Sequence, residues 1–221
     1  MGYGGDYSRA VAVDNTGKSP TIANCVVTGN SAWGAVVANL AEDESLSNPM
    51  ITDCTFTGNV GDGAAIVNGA LNGYAAGAQI YTRIDNCAFT GNSAGVMNLC
   101  LGGRRNTAIT RCTFASNGTA LSELEIGNGR CATYAENTVF AQHTGDVLEF
   151  YAYDYGAYIA PLFTNCTFAG NTGTQGIFSA KYAPVGGNLL NCIVWGNTAP
   201  LLTGSISLAA SHCDIEDGYP G

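Results

Sequence analysis

A seven-residue unit, Asn24-Cys25-Val26-Val27-Thr28-Gly29-Asn30, recurs along the 221-residue chain and constrains its fold more than any other feature. It returns at 53–59, 86–92, 111–117, 165–171 and 191–197, a degenerate copy fills 137–143, and Cys213-Asp214-Ile215 opens one more. With the cysteine as position zero (Thr138 in the degenerate copy), successive units lie 29, 33, 25, 26, 28, 26 and 21 residues apart. A unit this short cannot bury an apolar face alone and must stack on its neighbours. A constant strand-turn-strand followed by a loop of changing length predicts an all-β, single-stranded parallel β-helix of about eight rungs, each coil supplying two or three short strands. Crossovers between parallel strands are overwhelmingly right-handed, so a right-handed coil is expected. The unit recurs without a linker, which makes 1–221 one domain. The unfinished last copy reads as a segment of a longer exported protein.

Side-chain parity locates the core. Position +2 holds Val27, Phe56, Phe89, Phe114, Phe140, Phe168, Val194 and Ile215. Two residues apart on a strand is the same face, so cysteine and aromatic point inward together. Position −3 (Ile22, Ile51, Ile84, Ile109, Ala135, Phe163, Leu189, Ala210) is also mostly apolar. Its odd offset demands a bend before the cysteine. Position +5 is Asn30, Asn59, Asn92, Asn117, Asn171 and Asn197, with His143 as a rung defect. Asparagine tolerates the left-handed backbone and its amide can bond the copy above, which predicts an asparagine ladder at a turn. A second apolar strand follows each turn.

Seven of the nine cysteines, Cys25, Cys54, Cys87, Cys112, Cys166, Cys192 and Cys213, occupy the repeat position. Rungs about 4.8 Å apart hold their side chains parallel and slightly too far apart for disulfides, so they read as buried free thiols. None has the spacing of a zinc site. Cys100 and Cys131 lie outside the ladder and can pair with each other in an exported chain. The net charge of −9 disfavours nucleic acid and anionic membrane as partners. No cofactor is implied, although the acidic balance would suit calcium. No apolar run reaches the roughly 18 residues of a membrane span, so direct membrane insertion is not expected.

The recurrent Asn-Cys-Thr-Phe-Thr-Gly-Asn pattern, Asn191 to Pro200 and Ser211 to Gly221 resemble the right-handed parallel β-helix surface proteins of bacteria, of the polymorphic outer-membrane-protein-like and choice-of-anchor types. The resemblance implies export, placement at the cell surface or outside the cell, and a scaffold role as adhesin or stalk. Open coil ends carry unpaired strand edges, so head-to-tail self-association is also expected.

The same shape houses pectate lyases and other polysaccharide-degrading enzymes, so an enzyme must be sought in the residues. The basic residues are scattered, which argues against an acidic sugar substrate. Aligning the second strands on Val96, Leu121, Val147 and Ile177 places Asn98, Glu123, Glu149 and Ser179 in one row and Cys100, Glu125, Tyr151 and Lys181 in another. In that register Glu123 and Glu149 face outward on adjacent rungs about 5 Å apart, the separation of a retaining glycosidase pair. The stretch from Glu149 to Tyr158 sets Tyr151, Tyr153 and Tyr155 on one parity, an aromatic row that with Glu125 would contact carbohydrate or a protein partner. Trp33 and Trp195 read as corner packing. Charged strands for solubility remain the alternative. The primary expectation is a non-enzymatic surface module, with a glycoside hydrolase or lyase using Glu123 and Glu149 as the second.

Overall fold

The computed structural model describes residues 10–16, 18–32, 34–41, 44–61, 64–70, 77–126, 129–153, 158–173 and 176–216. Every strand pairing in it is parallel, and the strands form the three faces of a coil. The ladder face stacks eight strands of two or three residues, from Val26–Thr28 to Asp214–Ile215, one for each copy of the unit. The second face follows the asparagine turn and includes Ala94–Leu101, Thr119–Ile126 and Leu148–Ala152. The third face leads into the next cysteine and includes Gln79–Asp85, Arg104–Thr110 and Arg130–Glu136. The strand Phe178–Leu190 runs round the corner and joins these two faces into one sheet. About six turns result, slightly fewer than the eight copies of the unit.

Two left-handed residues make the short ladder strands possible. The bend before each cysteine sits at position −1, where Asn24, Asp53, Asn86, Arg111, Asn137, Asn165, Asn191 and His212 all have φ between 51° and 55°. The turn after the strand places its left-handed residue at +4, where Gly29, Gly58, Gly91, Gly170 and Gly196 have φ of 62–65°. The expectation that the +5 asparagine takes this conformation is therefore corrected: the residue before it does. The asparagine is left free to turn its amide inward. Asn59 donates from both its backbone N–H and Nδ2 to Oδ1 of Asn92 (3.0 and 2.9 Å), whose own Nδ2 donates to the Phe56 carbonyl at 3.0 Å. His143 keeps one side of this column, its Nδ1 meeting the Asn117 carbonyl at 3.1 Å on the other. It is buried, its N–H donates to Asn171 Oδ1 at 3.0 Å, and its Nε2 lies 3.1 Å from the Phe114 carbonyl, where an amide would otherwise donate. Burial holds its pKa below the usual histidine value.

Inside the ladder face Phe56, Phe89, Phe114, Phe140 and Phe168 stack with centroids 4.9, 4.5, 5.2 and 4.9 Å apart, all fully buried. Beside them the thiols of Cys54, Cys87, Cys112, Cys166 and Cys192 are free and buried; Cys25, at one end, is exposed, and Cys213, at the other, is half-buried. The inner wall of the second face carries a polar seam that parity alone makes inward. Asn39, Asn68 and Asn98 donate in turn along the stack, and Thr82 and Thr107 on the third face bond into it at 2.8 Å.

Cys100 and Cys131 form a disulfide with Cα atoms 5.8 Å apart, tying the second face to the third across the interior. It closes a segment with a sequence separation of 31 residues. By the chain-entropy argument, opening such a loop removes about 3–4 kcal/mol of stability. The double variant Cys100→Ser, Cys131→Ser is expected to show a lowered denaturation midpoint in urea; an unchanged midpoint would mean that the bridge adds nothing to the stacked strands.

Candidate functional site

The register of the second face decides which of the sequence-predicted residues meet. Asn98 pairs with Glu123 and Cys100 with Glu125, as expected. On the next rung, however, Leu121 pairs with Leu148, so that Ser122 lies opposite Glu149 and Glu123 opposite Phe150. The reason is a turn one residue longer: five positions separate His143 from Leu148, where four separate Asn117 from Leu121. A one-residue slip reverses the side-chain faces. Glu123 therefore points inward with 0% exposure and Glu149 outward, and the expected pair of facing carboxylates is not formed. Glu125 is buried as well, so it is not an outward contact residue. Glu123 ends the polar seam, accepting from Thr133 Oγ1 and from Asn98 Nδ2 at 3.4 Å. Burial pushes its pKa up to about 7 against the pull of these two donors.

Outside, Glu149 belongs to a different cluster. Tyr151 donates to Glu149 Oε1 at 3.2 Å, and Lys181, paired with Tyr151 in the sheet, places Nζ 3.3 Å from the tyrosine oxygen and 3.5 Å from Glu149 Oε1. Asp146, in the turn before the strand, is 5% exposed and lies 4.0 Å from the same ammonium. Burial first, and then the neighbouring Glu149 carboxyl, raises the Asp146 pKa to about 6. The adjacent acidic pair is thus Asp146 and Glu149. Although burial acts to lower it, the pKa of Lys181 is raised by the Tyr151 hydroxyl and the two carboxylates.

The aromatic row takes a form that the sequence did not announce. Tyr151 and Tyr153 are half-buried, and Tyr155 lies outside the described residues. Tyr182 joins them, its ring 4.5 Å from Tyr153 and 6.4 Å from Tyr151. It is in register with the buried Ala152 but is 68% exposed, because a φ of 80° beside an irregularity of its strand turns it outward. Strand parity has no means of finding such a residue. Trp195, expected as packing, stands on the ladder face 52% exposed, where its odd offset from the cysteine directs it to solvent. Trp33 lies outside the described residues.

A groove of about 590 Å³ runs along the outer side of the third face, lined by Thr21, Asn48, Met50, Tyr81, Arg83, Asn106, Ala108 and Tyr134. Tyr134 is 46% exposed, and the Tyr81 hydroxyl donates to Gln79 Oε1 at 2.7 Å. These residues occupy positions −4 and −6, the parity opposite to the buried −3, and that alternation was the signal available for them. Among the described residues, no carboxylate lines the groove. Among the described residues, no three His, Cys, Asp or Glu side chains gather as a metal site.

Comparison with known proteins is informative at the level of family. Residues 47–217 match the family described as right handed beta helix region. No curated protein and no solved structure matches the chain.

Proposed function

The chain belongs to the right-handed β-helix family, and on that premise we propose that it is a non-enzymatic extracellular or cell-surface module that contacts carbohydrate along the outside of its coil. The observation that carries this reading is the third-face groove, where Tyr81 and Tyr134 offer aromatic rings and Arg83 and Asn106 offer hydrogen bonds, with no carboxyl group among the described residues that line it. The row of Tyr151, Tyr153 and Tyr182 supplies a second aromatic surface on the neighbouring face. The Cys100–Cys131 bridge supports an oxidising, exported setting. Placement in a bacterial surface protein of the polymorphic outer-membrane-protein-like or choice-of-anchor type, as adhesin or stalk, is part of the same proposal. Sugar stacking on tyrosine is worth on the order of 1 kcal/mol per ring, so binding is weak per site and gains from repetition. A glycan-array screen of the chain should yield binders whose signal falls about tenfold or more, as expected for losing two ring contacts, in the double variant Tyr81→Ala, Tyr134→Ala. Binding that ignores both this change and the loss of Tyr151 and Tyr182 would remove the carbohydrate reading.

A second reading, a polysaccharide hydrolase, is favoured by one observation: Asp146 and Glu149 form an adjacent carboxyl pair beside Lys181 and Tyr151. A carboxyl whose pKa is raised to about 6 beside a second carboxyl is the arrangement of an acid and its partner. Product release from a bound glycan, abolished by Glu149→Gln, would establish it.

A further inference from the structure

Arg83 stands midway along the third-face groove, in the outward row Thr21, Met50, Arg83, Ala108 and Tyr134. It is exposed, and among the described residues its guanidinium has no hydrogen-bond or ion-pair partner. Asp85, two residues along the same strand and of the same outward parity, is already taken by Arg111, whose Nε donates to Asp85 Oδ1 at 3.1 Å. Register defines the space beside Arg83. It pairs with Ala108, and Ala108 pairs with Tyr134. Rungs about 4.8 Å apart therefore set Arg83 and Tyr134 on either side of a gap whose floor is the Ala108 methyl. Tyr81 and Asn106, register partners two residues back on the same parity, close a third side. Toward the cysteine, the next outward row is acidic at both ends, with Thr110 between Asp85 and Glu136.

We infer, resting on the glycan reading of this groove, that its ligand is a largely neutral glycan bearing a single acidic group, a carboxylate or a sulfate ester, seated on Arg83. A sugar ring over Ala108 lies against Tyr134. Its acidic substituent reaches the guanidinium, whose planar fork matches two oxygens of either group. Charge limits the ligand to one such group. Arg83 is the one cation among the described residues that line the groove, and Asp85 and Glu136 border it on one side. A polymer charged at every sugar would set further anions over the tyrosines and beside those carboxylates, where the described lining holds no second cation. The net charge of −9 adds to that repulsion at longer range. Basic residues too scattered for a polyuronate thus suit one placed charge.

The test is binding of the chain to matched glycans that share one neutral backbone and carry no charge, one uronate or one sulfate, with a polyuronate as the fully charged control. The singly charged members are expected to bind about tenfold more tightly than the neutral one, the gain from one charge-assisted contact. The polyuronate should bind no better than they do. In Arg83→Gln the preference should vanish while the neutral member binds as before; the side chain holds no contact within the coil, and circular dichroism will show the fold intact. A preference for the uronate or for the sulfate member identifies the acidic group, and equal affinity for both identifies charge alone as the feature read. Equal binding of neutral and charged members, a preference that survives Arg83→Gln, or strongest binding of the polyuronate overturns the inference. Where such binding is still lost in Tyr81→Ala, Tyr134→Ala, the groove reading stands and the role of Arg83 alone fails; binding indifferent to those tyrosines removes both.

Discussion

Replacing Phe114 by alanine is expected to destabilise the coil by about 3–5 kcal/mol, the range for deleting a fully buried aromatic ring. The ring lies in the middle of the stack, 4.5 Å from Phe89 and 5.2 Å from Phe140, with no exposure through which the site could collapse onto water. Each rung of a solenoid is held by its neighbours, so the loss is felt on both sides of the cavity. Urea unfolding should therefore show a lowered midpoint and a broadened transition as the two halves uncouple. Tyr134→Ala, on the outer side of the same coil, should change stability by a few tenths of a kcal/mol. If the two substitutions had similar effects, the stacked aromatic column would not be the source of stability assigned to it.

The second large effect is a pH dependence centred on Glu123. Its carboxyl titrates near pH 7 in the folded chain against about 4.5 when unfolded, because burial disfavours the ionised form. Stability from this group is therefore complete below about pH 4.5, is lost as pH rises toward 7, and stays lost above it. The difference amounts to about 3 kcal/mol between acid and alkaline limits. Glu123→Gln keeps an oxygen to accept from Thr133 and Asn98 but cannot ionise. The variant should unfold at higher urea than the parent at pH 8, and the gap should close at pH 4.5. Parallel stabilities at both pH values would mean that Glu123 is not buried in ionisable form.

The repeat made the architecture legible. A cysteine at zero, an aromatic at +2 and an asparagine at +5 each recur in a place where only stacking accounts for them, and each is found stacked. The free thiols follow from the same spacing; it leaves Cys100 and Cys131 outside the ladder, and the structure joins them. What could not be read was the face of the second strand. Hydropathy sends glutamate to water, whereas parity sends Glu123 wherever Leu121, two residues earlier, goes. Parity prevails here because Asn39, Asn68 and Asn98 with Thr82, Thr107 and Thr133 already make that interior row polar. The turn after His143, one residue longer than the one after Asn117, then carries Glu149 to the other side, and aligning the strands on Val147 instead of Leu148 passes over that extra residue. Tyr182 escaped for a similar reason, since a left-handed backbone overrides its strand position. The groove was within reach: Tyr81, Arg83, Asn106 and Tyr134 fall on the outward parity of the third face.

The central claim is that the outside of the coil binds glycans without cutting them. Its most direct measurement is the mass spectrum of an oligosaccharide that the chain binds, recorded before and after prolonged incubation at pH 6, close to the raised pKa of Asp146. An unchanged mass with binding intact, and lost in Tyr81→Ala, Tyr134→Ala, is the predicted result. Shortened products that disappear in Glu149→Gln would contradict it and place catalysis at the Asp146–Glu149 pair.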